Sequence, residues 1–479
     1  MKPIEQNIKR PATDPSGPTG RLAGWLANIE LDDIPESVRE RARHLVLDGI
    51  ACALVGAQLP WSRTAVEAVV DLEGDGIHRI IGWGRTTSAP AAALLNGTFI
   101  QGFELDDFHP GAPLHSNSLV VPSLLATAER IGNVTGRQFL LGAICGYEVG
   151  PRVGLALHGA EMLTRGWHSG AVFGTHASAA AAGKLRGFDA AAFEDALGLA
   201  GTQSAGLMAA QFEAMSKRMH HGFAARNGLY AAGLAAHGYT GIKRVFERDY
   251  GGFLSTFGEG HAPDASQVSK DLGSTWHTEA INIKRHAAMG GLLAAIDAIL
   301  AFKRQHSFSA DDVEAIDVDL AAAIFHHGGW AASRPLTPIG AQMNLAYAVA
   351  ITVIDGAALI HQFSPTRINE DDVWSLMKRV QVHHDERFDA DGAEARLATR
   401  IVVKLKSGQH FEKLTRHPDG EPMAPVLNAD IVDKYRALTA GIVDTGRRDA
   451  IERIVLGLDA STDIGELLDL LEAPVASAL

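Results

Sequence analysis

The sequence predicts a mainly α protein with an inserted α+β lid: a large helical domain built from both chain ends, plus a smaller mixed domain. Three observations carry this reading. Apolar residues recur at helical spacing from Arg21 to about Ala280, short extended runs replace them after residue 280, and helical spacing returns from Asp430 onward. At 479 residues the chain is also too long for one ordinary core, so two domains are expected.

Taken in order, the first twenty residues, MKPIEQNIKRPATDPSGPTG, lack an apolar segment and read as a disordered leader. Ile34-Pro35-Glu36 is a helix start, with proline early and an acid in the first turn; Val38, Ala42, Leu45, Val46, Ile50 and Ala53 then repeat at helical spacing. Segments 88–103, 117–131, 136–158, 169–185, 191–210 and 223–238 are rich in Ala, Leu and Gly, which permits close helix packing. Ile281-Asn282-Ile283 is short and extended, and a Gly-Gly pair opens an apolar helix at about 290–304. Val313 to Leu320, Ala398 to Leu405 and Gln409 to Leu414 read as strands, the last two joined by a Lys406-Ser407-Gly408 turn. Lys434–Ala440, Arg447–Leu456 and Leu467–Glu472 are helical again. The expected division is a leader over 1–20, a helical domain over 21–280 and 417–479, and a lid over 281–416.

Composition narrows the function. The net charge of -13, from 56 acidic and 43 basic residues, argues against nucleic-acid or acidic-membrane binding, which needs a dense basic face. Only Cys52 and Cys145 are present, both in apolar stretches, and two thiols fall short of the four that an iron–sulfur cluster usually takes. No window reaches the roughly eighteen uninterrupted apolar residues of a membrane span, and a cytoplasmic protein is expected.

Four polar clusters interrupt the apolar sequence. Glu104, Asp106, Asp107, His109 and His115 fall in one loop, held out of helix by Pro110 and Pro113. Carboxylates beside histidines raise the imidazole pKa and set its tautomer, as a general acid requires. A solvated loop with a helix cap uses the same residues, whereas their spacing matches no zinc signature, so no metal is expected. His168, in Arg165-Gly-Trp-His-Ser-Gly, leads into an Ala-rich helix and is either an anion contact or a cap. Ser216-Lys217-Arg218-Met-His220-His221 places fixed cations among apolar helices, where they must meet acids or a bound anion unless the segment is an exposed loop. Lys284-Arg285-His286 and Met289 precede the Gly290-Gly291 helix start, whose free N–H groups favour a carboxylate. His326-His327 and His383-His384 lack apolar insulation and read as structural or exposed.

These features, in this order, resemble the MmgE/PrpD family, together with LDGIACALVGAQLPWS, GWHSGAVFG, HGFAARNGLY, RDYGGFL, GSTWHTEAINIK, HPDGEPMAP and the closing IVLGLDASTDIGELLDLLEAPVASAL. The family includes 2-methylcitrate dehydratases, iminodisuccinate epimerases and cis-aconitate decarboxylases. The segments IQGFELDDFHPGAPLHSNS, SKRMHHGFAARNG and DASTDIGELLDLLEAPV are most similar to its fungal cis-aconitate decarboxylase branch.

The resemblance implies a homodimer with a cofactor-free active site between helical domain and lid, acting on a small tricarboxylate or dicarboxylate. Carried over by motif, that site includes Asp106, His109, His115, His168, Lys217 and Lys284, with Glu104 standing where animal decarboxylases have an aspartate. Arg218, His220, His286 and Met289 are added as substrate contacts from the residues themselves. Three positions depart from the family: RHAAMGG after Lys284, Ala331 where animal decarboxylases have a tyrosine, and Phe108 in place of a hydroxyl-bearing residue. The expected reaction is decarboxylation of cis-aconitate to itaconate, with His115 as general acid oriented by Asp106 or Glu104, and the two lysines binding carboxylates. A 2-methylcitrate dehydratase or another polycarboxylate lyase or isomerase would use the same equipment. A noncatalytic carboxylate-binding homologue is the remaining reading.

Overall fold

The computed structural model describes residues 9–159, 162, 165–390, 398–415 and 426–479. Residues 1–8 of the expected leader, the HPDGEPMAP stretch and the expected 416/417 boundary lie outside the described residues.

The helical part is a stack of apolar helices: α1 (Pro18–Asn28), α2 (Glu36–Ala57), α3 (Ala89–Ile100), α4 (Asn117–Ile131), α5 (Gly136–Ala156), α6 (Ser169–Leu185), α7 (Ala190–Gly201) and α8 (Ser216–Ala236). Helices α5 and α6 are buried on nearly every face, so they lie at the centre. Their approach depends on small residues. A Cβ at Gly146 on α5 would meet Ala177 O on α6 at 3.1 Å, and one at Gly150 would meet Ala177 Cβ at 3.0 Å. Helix α8 packs across α6 and α3.

The lid is built on a four-stranded sheet. It comprises β5 (Val313–Leu320), β6 (Val380–His384), β7 (Thr399–Leu405) and β8 (His410–Thr415), in the order β6-β5-β7-β8. Only β5–β6 is parallel, and β7–β8 is the expected hairpin. Helices α9 (Leu293–Gln305) and α10 (Leu345–Asp355) pack against each other and against this sheet. Two small pairs complete the sheets: β1 (His78–Ile80) with β2 (Arg85–Thr87), and β3 (Asp107–Phe108) with β4 (Asn282–Ile283).

The chain end returns to the first domain through α11 (Asn428–Thr439), α12 (Thr445–Leu456) and α13 (Gly465–Glu472). Helix α11 lies on α2, where Lys434 Nζ is 2.7 Å from Asp48 Oδ1 and also donates to the Leu105 carbonyl. Arg79 pairs with Glu472 at 2.9 Å and with Asp469 at 2.6 Å. Helical structure from both chain ends thus surrounds one core, as the fold class predicts. Among the described residues, no single helix is long and apolar enough to cross a membrane.

Three local expectations are corrected. Residues 9–20 belong to the fold rather than to a disordered leader: Thr13 bonds Glu194, Arg10 pairs with Asp189, Ala12 is buried, and α1 starts at Pro18. The expected 191–210 helix stops at Gly201, because the chain then crosses back to pair Leu207 with Trp167 and to donate from Met208 N to the Gly166 carbonyl. The expected 223–238 helix starts at Ser216 instead, so its cations and histidines form buried helical turns rather than an exposed loop.

One buried ionic knot ties α5 to the segment before β4. Glu148 accepts from Thr278 N at 2.9 Å, Thr278 Oγ1 at 2.7 Å and Arg152 at 3.3 Å. Arg152 also donates to the Lys270 and Thr275 carbonyls. Glu148→Ala strands this guanidinium in the core and is expected to destabilise the protein by about 3–5 kcal/mol. Urea denaturation checks this; a loss under about 1 kcal/mol contradicts it.

Candidate active site

Four segments far apart in sequence converge beside the β3–β4 pair. Asp107 is in register with Ile283, which brings Lys284 against the 104–106 turn. The first two turns of α8 deliver Lys217, Arg218, His220 and His221, and His168 sits at the N-cap of α6. Asp107 accepts from Ser116 N at 2.7 Å and Asn117 N at 2.9 Å, so it anchors the loop bearing His115 to the start of α4.

The result is a chain of alternating charge. Lys217 Nζ donates to Glu104 Oε1, and Lys284 Nζ donates to Glu104 Oε2 at 2.8 Å. The Lys284 ammonium lies 3.7 Å from Asp106 Oδ1, and the same oxygen lies 3.1 Å from His115 Nδ1. Both lysine side chains and both carboxylates are at most 5% exposed, whereas His115 is 17% exposed. The imidazole is therefore the member best placed for proton exchange with solvent. Glu104 holds a φ of 55°, uncommon outside glycine, and the two ammonium contacts compensate for it.

Burial drives the Lys217 ammonium well below its ordinary value, with Lys284 and Arg218 adding repulsion. Burial also lowers Lys284, partly opposed by the charges of Asp106 and Asp107. Desolvation alone would raise Asp106, but His115 and Lys284 outweigh it and hold the carboxyl below its usual range. Asp107 is pushed up to about 7 by burial and by the Asp106 charge.

A wall of imidazoles continues from His115. Its ring centroid is 4.9 Å from that of His221, which is 5.1 Å from His168, and His168 is 4.3 Å from His220. Burial keeps His168 and His221 well below the ordinary histidine value and lowers His220 to about 4. Gly170 makes this wall possible, since a Cβ there would stand 1.6 Å from His221 Nε2. Gly170→Ala is expected to displace His221 and to lower kcat/KM at least about tenfold while the protein stays folded. Kinetics with circular dichroism check this, and wild-type kcat/KM contradicts it.

The buried histidines make stability depend on pH. His109, His168, His176, His220, His221 and His277 are all held below the ordinary 6.5, first of all by burial. The unfolded chain therefore binds protons that the folded one refuses. This stabilisation is complete above pH 6.5 and is lost as pH falls toward about 4, the value reached by His109 and His220. Each histidine withdraws up to about 1.4 kcal/mol per pH unit within that window. The urea midpoint is expected to drop steeply between about pH 6.5 and 5, and a constant midpoint contradicts this.

The remaining candidates divide. Arg218 lies close by, its guanidinium 4.6 Å above the Trp61 ring and donating to Gln342 Oε1 at 2.6 Å; burial lowers it to about 9. Gln342 in turn donates to the Phe103 carbonyl at 2.8 Å, so this arginine fastens the C-terminal half of the chain to the helical part. His109 turns away: its Nδ1 accepts from Ala112 N at 3.0 Å and its ring meets His277. His286 pairs with Asp297 at 3.0 Å, and Met289 packs toward Gly291 and Gly328, so neither joins the charge chain. From the sequence, His221 falls in the polar cluster without being assigned to the site, and Gln342 is passed over. His221 was legible from its i, i+4 spacing to Lys217 on one helix, whereas nothing local marks Gln342.

A cavity of about 540 Å³ borders the wall at His220, between Ala171, Gly206, Leu207, Glu213 and Ser216, while the two lysines lie closed off behind it. Among the described residues, no group of three or more His, Cys, Asp or Glu side chains is arranged to hold a metal ion.

Comparison with known proteins matches residues 20–265 to the MmgE/PrpD N-terminal domain and residues 286–460 to the MmgE/PrpD C-terminal domain. A cis-aconitate decarboxylase-like protein of Aspergillus oryzae is 44% identical over 470 residues, covering 95% of this chain and 97% of that protein. A cis-aconitate decarboxylase of Aspergillus terreus is 42% identical over 480 residues, covering 97% of this chain and 98% of its own. The cis-aconitate decarboxylase of Mus musculus is 24% identical over 470 residues, covering 95% of this chain and 93% of its own.

Proposed function

We propose that this chain, which belongs to the MmgE/PrpD family, is a carboxy-lyase that converts cis-aconitate to itaconate with an allylic shift of the double bond. The observation that carries the reading is the pair of buried ammonium groups on Glu104, with His115 on Asp106 beside them.

In cis-aconitate, one carboxymethyl carboxylate lies beta to an alkene that bears the other two. Cleavage of its bond to carbon releases carbon dioxide, and the bonding pair forms a new terminal double bond. The old alkene pair moves to the far carbon as a dienolate delocalised into the adjacent carboxylate. Protonation at that far carbon gives itaconate. The two remaining carboxylates supply the electron sink, so the reaction needs no organic cofactor.

The side chains fit these demands. Glu104 supplies, before substrate arrives, the negative charge that two desolvated ammoniums require; substrate carboxylates compete for the same donors. Lys217 and Lys284 then bind carboxylate and stabilise the dienolate, each worth about 3 kcal/mol to the barrier. His115, oriented by Asp106, delivers the proton. His168 and His220 are lowered bases that accept protons as anionic charge accumulates beside them. Asp106→Asn removes the carboxylate that lies 3.1 Å from His115 Nδ1 and orients its ring. It is expected to lower kcat about 10²-fold, and a kcat within about threefold of wild type contradicts this role.

The homodimer and the cytoplasmic placement belong to the same reading; light scattering checks the first. Proton NMR of the protein with cis-aconitate and, separately, with 2-methylcitrate tests the activity. Vinylidene protons of itaconate support the decarboxylase. Water loss from 2-methylcitrate alone moves the chain to the dehydratase branch, and binding without turnover makes it a noncatalytic homologue.

A further inference from the structure

A pocket of about 670 Å³ lies at the opposite end of α8 from Lys217. Its floor is cationic. Arg130 closes the last turn of α4, and Arg186 is the C-cap of α6. Both line the pocket, and among the described residues neither guanidinium has an ion-pair partner. Arginines at helix C-termini ordinarily answer the partial negative charge of the last carbonyls. That role alone does not draw two of them together: burial lowers Arg186, and the Arg130 charge lowers it further. Its Nε is buried without a hydrogen-bond partner.

A third polar group is independent of the helix ends. His78, on β1, is 5% exposed and lines the same pocket, and its Nε2 is buried with no partner. Burial, then the Arg130 charge, holds this imidazole below its ordinary value. The α3 N-terminus adds little, because Ser88 caps Ala91 N and Pro90 has no N–H. The rim carboxylate of Asp75 lies 4.0 Å from Arg85. Thr87, Ser88 and His237 add polar groups, and the rest of the wall is apolar and includes Tyr230 and Leu234, which are 44% and 39% exposed.

We propose that this pocket is a second anion site, separate from the lysine–histidine cluster. It takes a small organic anion whose phosphate or carboxylate head meets Arg130 and Arg186 and draws a proton onto His78 beside them, and whose apolar body lies on Tyr230 and Leu234. The two sites do not share a ligand, since α8 rises about 20 Å between Lys217 and Tyr230. The pocket therefore serves an effector or a second metabolite rather than the substrate under reaction, whatever the chemistry at His115.

Isothermal titration with phenyl phosphate, benzoate and inorganic phosphate tests this on the full chain. Phenyl phosphate or benzoate binds one equivalent per chain, and the tighter of the two identifies the preferred head group. Arg130→Gln/Arg186→Gln weakens that binding at least about tenfold, as loss of two charge-assisted contacts requires. Lys217→Met leaves it within about twofold, because the active site is not involved. Tyr230→Asp sets a carboxylate on the rim and gives a similar loss, which keeps the test open if the double variant fails to fold. Three results overturn the proposal: no binding up to about 10 mM, affinity unchanged in the double variant and Tyr230→Asp, or binding abolished by Lys217→Met. Inorganic phosphate binding as tightly as phenyl phosphate overturns the apolar half.

Discussion

Lys284→Met is expected to lower kcat for cis-aconitate decarboxylation by about 10²–10³-fold, the loss seen when one preorganised donor to a developing anion is removed. The methylene chain of Met fills most of the space of Lys, so the packing around this 1%-exposed side chain is largely kept. What disappears is the charge shared by Glu104 and Asp106. Asp106 then loses one of the two neighbours that hold its carboxyl below the usual range, and it takes up a proton more readily. The variant should therefore lose transition-state stabilisation and part of the His115 polarisation together. Steady-state kinetics with thermal melting checks this: a folded variant within about fivefold of wild-type kcat would remove Lys284 from the reaction.

His115→Gln is expected to lower kcat by about 10²–10⁴-fold while KM changes less than about threefold, because a general acid acts only in the transition state. The amide keeps the polar shape facing Asp106 but cannot carry a transferable proton. Equal damage to KM and kcat would make His115 a binding residue. Retained kcat would pass the proton to His168 or His221, whose rings adjoin it through the imidazole wall.

Much of the fold was legible because its signals are local. Helices such as α4 and α6 begin and end where their apolar runs do, and β5 spans the predicted Val313–Leu320 run. The failures were nonlocal. Nothing between residues 202 and 210 announces that Leu207 must pair with Trp167, and nothing before Pro18 announces the Asp189 and Glu194 contacts that fold residues 9–13.

The site divides the same way. Glu104, Asp106, His115, Lys217 and Lys284 stood out because charges inside apolar sequence must find partners, and the structure makes them one another's partners. The geometry that decides which carboxylate bridges the lysines was not legible. It depends on a two-residue strand pairing between positions 107–108 and 282–283. His286 looked equivalent to the others in sequence, yet Asp297 on α9 claims it.

Decarboxylation with proton delivery to the far carbon leaves a signature in the product, read by proton and deuterium NMR of what forms from cis-aconitate in D₂O. The mechanism predicts itaconate with a single deuterium, confined to the methylene beside the carboxylate, and two vinylidene protons that both come from substrate. A methyl-bearing unsaturated dicarboxylate with deuterium in its methyl group would place protonation at the carbon that lost carbon dioxide. That result would contradict the allylic shift and the dienolate for which Lys217, Lys284 and His115 are arranged.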